Sequence, residues 1–554
     1  MYKIVGLGIL FVDHKSVTLN RKHTYMKLYN TLLACALSMG MSFMPAEAQQ
    51  AWSPDNGDGT FTNPLMWGDW PDPDVIRVGD YFYLVSTSMH YVPGSPIAKS
   101  ADLVNWEIVG YAVDRYTDDP RYDMQGGELY LNGSWANSLR YHNGKFYVAF
   151  CTPYGWGTEK GHFSVCEAKD PRGPWTRTIF PEYLYDPGLF FDDDGRVYVV
   201  HGQHRLFVTE LNADVKSVKS PAVEIWNKGV DDAKGSGKSA LMEGSHVYKV
   251  NGMYYILCPA GGTEGWQMCL RSSNIYGPYE SKAVFQDDSS YPTNGLHQGG
   301  MVQLKNGDWW FVIMQDRGPI GRVPHLLPVK WIDGWPLLGV NSKDAITYPK
   351  PNVGKRVKAM SPATTDEFSK RSLGLQWQWN HNPDPQKWSL SERPGYLRLK
   401  ASKATDLKNA RNTLTQRVQG PNSTAMVELD VTRLKDGNTA GLGIFEFPYA
   451  YVAVQQVGGK RQVVMCNDGE IIETPIDNLS QDKIWLRARV TDKDFTARFY
   501  YSLDGEWFVP VGNVLHMGLG LPWTANRFAL FNFSTTDEGV GGMADFDWFR
   551  FYGK

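Results

Sequence analysis

Cysteine, net charge and helical periodicity are what this chain has least of. Its 554 residues carry six cysteines and a formal net charge of −3. So balanced a charge argues against a polyanion partner, and no nucleic acid is expected to bind. Five cysteines lie beyond residue 48: Cys151, Cys166, Cys258, Cys269 and Cys466. An odd count without tight spacing argues against a disulfide framework, and no Cys/His spacing suggests zinc. Cys151 with Cys166, and Cys258 with Cys269, fall on expected successive strands, where buried cysteines pack as small apolar groups. No membrane span is expected either.

What the chain has in quantity is turns and rings. Aromatic residues make up 13% of it and glycines number 55, which fits an all-β protein of two or three domains. Exposed aromatic faces suit stacking on sugars. Near the start, Met26 to Ala48 reads as a secretory signal, with Lys27 as its basic region, an apolar stretch from Leu32 to Met44 and Ala46-Glu47-Ala48 as the cleavage site. Export to the periplasm or beyond follows. Residues 1 to 25 fit no signal peptide, so residues 1–48 are taken together as an extension plus signal, with Met26 as the expected true start. Cys35 is read as part of the apolar stretch rather than as a lipid site.

Five times between Pro71 and Asp316 a polar cluster is followed by an apolar run, an Xaa-Gly turn and an aromatic strand. The turns are Val78-Gly79, Asn143-Gly144, Asp194-Gly195, Asn251-Gly252 and Asn306-Gly307, with glycines 65, 51, 57 and 55 residues apart. Asn-Gly and Asp-Gly between apolar runs signal hairpins, because type I′ turns need positive φ at both central positions. The spacing is too irregular for a solenoid and suits blades of about four strands, predicting a five-bladed β-propeller over residues 49–348. Counting back seven to ten residues from each glycine reaches Asp72, Trp135 with Asn137, Asp186, Glu243, and His297 with Gln298. Taken singly, each is an ordinary strand-entry residue. Recurring in register, they should meet at one mouth of the channel that the first strands line.

Residues 349–362, with Pro349, Pro351 and Gly354, lose the alternation and read as a linker. Beyond it, runs such as Ala425 to Leu429, Tyr451 to Val454 and Trp485 to Val490 alternate between turns, predicting a β-sandwich over 363–554. Asp545 and Asp547 on its closing strand are read as solvent-facing, the alternative being a structural calcium shared with Glu367.

Six motifs in order then carry a resemblance: Trp70-Pro71-Asp72-Pro73-Asp74-Val75, Ser134-Trp135-Ala136-Asn137 through His142, Tyr185-Asp186-Pro187-Gly188, Met242-Glu243-Gly244-Ser245-His246, Leu296-His297-Gln298-Gly299-Gly300, and Gly321-Arg322-Val323-Pro324-His325. The chain resembles glycoside hydrolase family 43, five-bladed propellers that cleave arabinofuranosyl and xylosyl linkages with inversion. Its tail resembles the concanavalin A-like, jelly-roll sandwich that many such enzymes carry. The resemblance implies Asp72 as general base, Glu243 as general acid, and Asp186 as the carboxylate that orients the acid and adjusts its pKa. It implies Arg322 as a sugar contact beside the cleaved bond, Trp135 as pocket floor, and Asn137 and Gln298 as further substrate contacts. His297 resembles the channel histidine that helps to hold a central calcium, mostly through waters; no cofactor is required for the chemistry. Some relatives carry Pro where this chain has Asn137. The expected partner is an arabinose- or xylose-containing glycan. The expected activity is exo-acting release of terminal α-L-arabinofuranosyl units, with β-D-xylosidase as the nearest alternative. Endo-arabinanase, galactanase or a non-catalytic glycan-binding protein are the further ones.

Overall fold

The computed structural model describes residues 51–155, 160–228, 242–259, 265–286, 295–339 and 346–553. The expected leader over residues 1–48, including Cys35, lies outside these.

Aromatic and β-branched runs separated by turns pair antiparallel into five four-stranded sheets. The first holds Asp74–Val78, Tyr81–Val85, Gly94–Ser100 and Trp106–Val113. The second holds Trp135–His142, Lys145–Pro153, Gly161–Ala168 and Thr176–Phe180, and the third Gly188–Phe191, Val197–His201, Leu206–Leu211 and Val223–Trp226. The fourth holds His246–Val250, Met253–Pro259, Trp266–Ser272 and Glu280–Gln286, and the fifth Leu296–Gln303, Trp309–Asp316, Arg322–Ile332 and Trp335–Leu338. These are the five blades of a β-propeller, as the turn repeat predicts. Thr60–Thr62 pairs with Thr347–Pro349. The segment that follows leans on blade five, Leu65 N donating to Pro324 O (2.7 Å) and Trp70 N to Arg322 O (2.9 Å).

The hairpin reading holds in full for only two turns. Asn143-Gly144 (φ 48° and 78°) and Asn251-Gly252 (φ 50° and 78°) have both central residues at positive φ. At the other three turns positive φ falls on the glycine alone: Gly79, Gly195 and Gly307. In blades three and five the reason is loop length, since pairing resumes only at Phe191↔Val197 and Gln303↔Trp309, too wide for a two-residue turn.

The first strands converge on the axis. Asp74, fully buried, accepts from Leu139 N (2.7 Å) and Arg140 Nη1 (2.6 Å) of blade two, and His246 Nδ1 of blade four stands 3.5 Å away. Leu189 N of blade three donates to Ser138 Oγ of blade two at 3.2 Å. Glycine is required where strands nearly touch: a Cβ on Gly300 would lie 2.5 Å from Asp74 Oδ1, and one on Gly188 would lie 2.1 Å from Ser245 O.

Two further sheets form the sandwich. One is ordered Gln378–Trp379, Leu414–Arg417, Arg527–Ser534, Asn438–Phe445, Ala450–Val457, Lys460–Asn467 and Glu470–Ile476; Ser402–Lys403 adds to Arg527–Ser534 in parallel. The other is ordered Trp388–Ser389, Leu397–Lys400, Met543–Gly553, Asn422–Asp430, Lys483–Thr491, Thr496–Ser502 and Val509–His516. Their inner faces share one apolar core that includes Leu442, Phe528, Val427, Leu486 and Phe549. Asp545 is buried rather than solvent-facing: Arg398 grips both its oxygens (2.7 and 2.8 Å) and Arg393 adds a third contact. Asp547 is half-buried, and Glu367 pairs with Arg550. The cysteines beyond residue 48 are all buried and unpaired.

Candidate active site

Each blade's inner strand opens at a residue at positive φ, two positions before the strand in blades one, three and four and inside the strand's opening bulge in blades two and five. These residues are Asp72, Ala136, Asp186, Gly244 and Gln298, with φ of 49°, 44°, 49°, 55° and 53°. Left-handed backbone is costly for residues other than glycine, so holding it in four of five blades means that tertiary packing imposes it. Asp72 and Asp186 share this position. Glu243 sits one position earlier, in step with Trp135, Tyr185 and His297, so the three carboxylates do not occupy one offset. Both positions open on the same mouth of the ring.

Asp72 is buried, and Arg322 Nη1 donates to its Oδ1 at 2.8 Å. Arg322 is held in turn through its backbone, its N–H donating to Asp69 Oδ1 (3.0 Å) and its carbonyl accepting from Trp70 N (2.9 Å). Gly321 before it, at φ 104°, lies so close to Asp69 that a Cβ would meet that side chain at 2.4 Å. The half-buried Glu243 accepts from Gln203 Nε2 (2.6 Å) and Tyr185 OH (3.4 Å), both on Oε2. Asp186 Oδ2 accepts from Gly244 N at 3.1 Å, which ties it to the residue next to Glu243.

Electrostatics make these carboxyls one system. Burial, first, and the nearby charges of Glu243 and Asp72 push Asp186 well above the usual carboxylate range. Glu243 is raised too, by burial above all and by the Asp72 charge, against the lowering pull of Gln203, His297 and Tyr185. Like charges confined this closely hold a proton between them. Burial, more than a neighbouring charge, is therefore the larger cause of the upward shift at Glu243.

The remaining expected site residues divide. Trp135 is buried beside Cys151 and Met89, its Nε1 donating to Leu131 O at 2.6 Å. Asn137 is fully buried, with Ser95 Oγ donating to its Oδ1 at 3.0 Å, which places it behind the wall and out of direct reach of a sugar in this conformation. Gln298 donates through its backbone N–H to Gln267 Oε1 (2.9 Å), and its amide lies against Gly244. His297 has Nδ1 3.1 Å from Gly295 O and Nε2 3.3 Å from Asp316 Oδ2. Both ring nitrogens thus face protein oxygens. Among the described residues no group of three His, Cys, Asp or Glu side chains is placed to hold a metal. These residues do not fit a directly ligated calcium.

Four contributors escape the sequence reading. Tyr185 lies inside a recognised motif without a role assigned to it, Asp69 adjoins another, and Gln203 lies in the loop after blade three's second strand. Trp523 comes from the sandwich: its carbonyl accepts from Arg322 Nη2 (3.4 Å) and its ring packs edge-on to Trp135, centroids 5.8 Å apart. No local pattern places a residue of a 518–526 loop two hundred positions from its partner.

The profile of Glycosyl hydrolases family 43 matches residues 61–336, and that of the Beta xylosidase C-terminal Concanavalin A-like domain matches residues 365–552. The chain is 33% identical to a Beta-xylosidase of Formosa agariphila, over 91% of this chain and 92% of that protein. It is 35% identical to a Non-reducing end alpha-L-arabinofuranosidase of Bacteroides ovatus, over 69% and 73%. A solved Bifunctional GH43-CE protein from Bacteroides eggerthii superposes with a TM-score of 0.81 at 38% identity, covering 89% of this chain and 64% of that one.

Proposed function

From the premise that the chain belongs to glycosyl hydrolase family 43 and is a glycosidase, we propose that it removes terminal β-D-xylosyl and α-L-arabinofuranosyl units, with inversion, from plant cell-wall glycans or their oligosaccharides. One observation carries the reading. At a single mouth of the propeller, one carboxylate is paired to a guanidinium while a second carboxyl is lifted above its ordinary range by burial. Asp72 is then the base that takes a proton from the attacking water, and Glu243 the acid that hands one to the leaving oxygen. Asp186 holds the acid's segment through Gly244 N and shares its proton. Arg322 has donors in a fixed fork suited to vicinal hydroxyls, and Trp135 with Trp523 supplies apolar walls.

The two sugars present similar hydroxyls around the reacting carbon, so one pocket can take both. The relatives' names favour xylosyl somewhat more than the sequence reading does. Trp523 of the sandwich stands over one flank of the mouth, which supports action on chain ends. The Met26 to Ala48 segment supports export, and no described helix is long and apolar enough to cross a membrane.

The test is hydrolysis of an aryl β-D-xyloside and an aryl α-L-arabinofuranoside by the full chain and by Asp72→Asn. Turnover that vanishes in the variant is expected. Turnover retained by the variant would move the base elsewhere, and no turnover by either protein would favour a glycan-binding role.

A further inference from the structure

Trp523 reaches the site on a loop, Gly518 to Asn526, that leaves the sandwich after Val509–His516 and returns at Arg527–Ser534. The loop contains two glycines, Gly518 and Gly520, and exposes Leu519 and Trp523; Asn526 Nδ2 donates to Gly518 O across its base (2.9 Å) and Thr524 N to Leu521 O within it (3.3 Å). A carboxylate from another strand end grips its turn. Glu446 follows directly on Asn438–Phe445 and is fully buried. Its Oε1 accepts from Leu521 N (2.6 Å) and Thr524 Oγ1 (3.2 Å), and its Oε2 from Gly520 N (3.1 Å) and Phe447 N (2.5 Å); Gly520 N is shared with Phe447 O (2.8 Å) and Thr524 Oγ1 with Leu521 O (3.0 Å). The loop's far end is fixed to the propeller, Asn526 N donating to Pro319 O at 2.9 Å, three residues before Arg322.

We propose that Glu446 is a positioning residue for the sugar pocket: its carboxylate clamps the Gly520 to Thr524 turn so that Trp523 stands against Trp135 and Arg322. The inference rests on the glycosidase reading above and extends it to a residue that touches no substrate. Burying a carboxyl without a basic partner is costly, and burial does push Glu446 up to about 7. Four donors converging on its two oxygens offset that cost, as a purely apolar side chain could not. Glutamine at 446 keeps the volume but turns an amide NH2, itself a donor, toward N–H groups in place of one oxygen, so at least one donor of the turn loses its acceptor.

The experiment compares Glu446→Gln, Trp523→Ala and the double variant in the full chain on the aryl xyloside. It is read as KM, kcat and amide hydrogen exchange of Gly520 and Leu521. Losing one wall of the pocket should raise KM about tenfold, roughly 1.4 kcal/mol, with kcat little changed. The double variant should be no worse than Trp523→Ala alone, because both changes remove the same contact. Exchange at Leu521 should quicken in Glu446→Gln, and exchange at Gly520, whose N–H keeps Phe447 O as acceptor, should change less. Additive losses in the double variant, or unchanged exchange at Leu521, would overturn the proposal. A wild-type chain without turnover would instead strike the glycosidase reading, while the exchange result would still judge the clamp. If Glu446→Gln does not fold, Thr524→Val removes one of the four donors and should move KM and exchange in the same direction, to a lesser extent; no movement would overturn the clamp.

Discussion

Replacing Glu243 by glutamine keeps the shape of the side chain and removes the proton it delivers. Loss should reach at least about a hundredfold on substrates with poor leaving groups, the usual scale for one general acid. Activated aryl glycosides should lose much less, because their leaving groups need little protonation, and equal loss on both classes would contradict the role. Gln203 allows a subtler test. Its amide donates to Glu243 Oε2 and so favours the ionised form, lowering a pKa that burial raises. In Gln203→Ala that pull is gone, so the acid should keep its proton to higher pH. The alkaline limb of kcat/KM against pH should then move up, and a limb that stays or moves down would deny the coupling. Asp72, Glu243 and Asp186 were legible in sequence because each sits in a short motif whose glycine or proline fixes the local chain. Asn137 was not: its motif is right, but whether a strand-entry side chain faces the mouth or the wall depends on packing against Ser95, which no local pattern encodes.

At the scale of the blade, the repeat was legible because each hairpin must recruit a residue able to turn the chain. The register of the entry residues was not, since bulges at Trp135/Ser138 and His297/Gly299 shift the count of positions within the strands. The hub at Asp74 follows from that register. Its carboxylate is fully buried and joins blade one to Arg140 and Leu139 of blade two, while Arg140 Nη2 reaches Val247 O of blade four at 3.4 Å. Asp74→Ala would leave a largely buried guanidinium without its counter-charge, a loss of about 3–5 kcal/mol by analogy with broken buried pairs. Urea unfolding should show a midpoint lowered to match. A variant as stable as the parent would mean that the Asp74 hub adds nothing net to the joining of the blades.

The whole molecule was legible as two parts and illegible as one. Alternation and turns announce a propeller and a sandwich, but the join is made by residues far apart in sequence. Val92 and Trp379 exchange backbone hydrogen bonds (3.0 and 2.6 Å), and Asn382 N donates to Tyr122 O (2.9 Å). Arg417 Nε donates to Asp69 O (2.6 Å), Arg317 pairs with Asp492 (3.3 Å), and Arg527 stacks 3.7 Å above the Tyr91 ring. Ile320 and Val323 of the propeller belong to the same buried apolar cluster as the sandwich core. Domain contacts within one chain are commonly modest and allow independent melting. Here, separating the parts would break these hydrogen bonds and this ion pair and would expose the shared apolar core to water. The two parts should therefore unfold together. Heating followed by far-ultraviolet circular dichroism and by tryptophan fluorescence should give coincident transitions, with calorimetric and van't Hoff enthalpies in agreement. Two separated transitions would show that the join positions Trp523 without binding the fates of the two parts. In that case a propeller lacking residues 363–554 should fold alone and, having lost the wall that Trp523 supplies, bind its sugar more weakly.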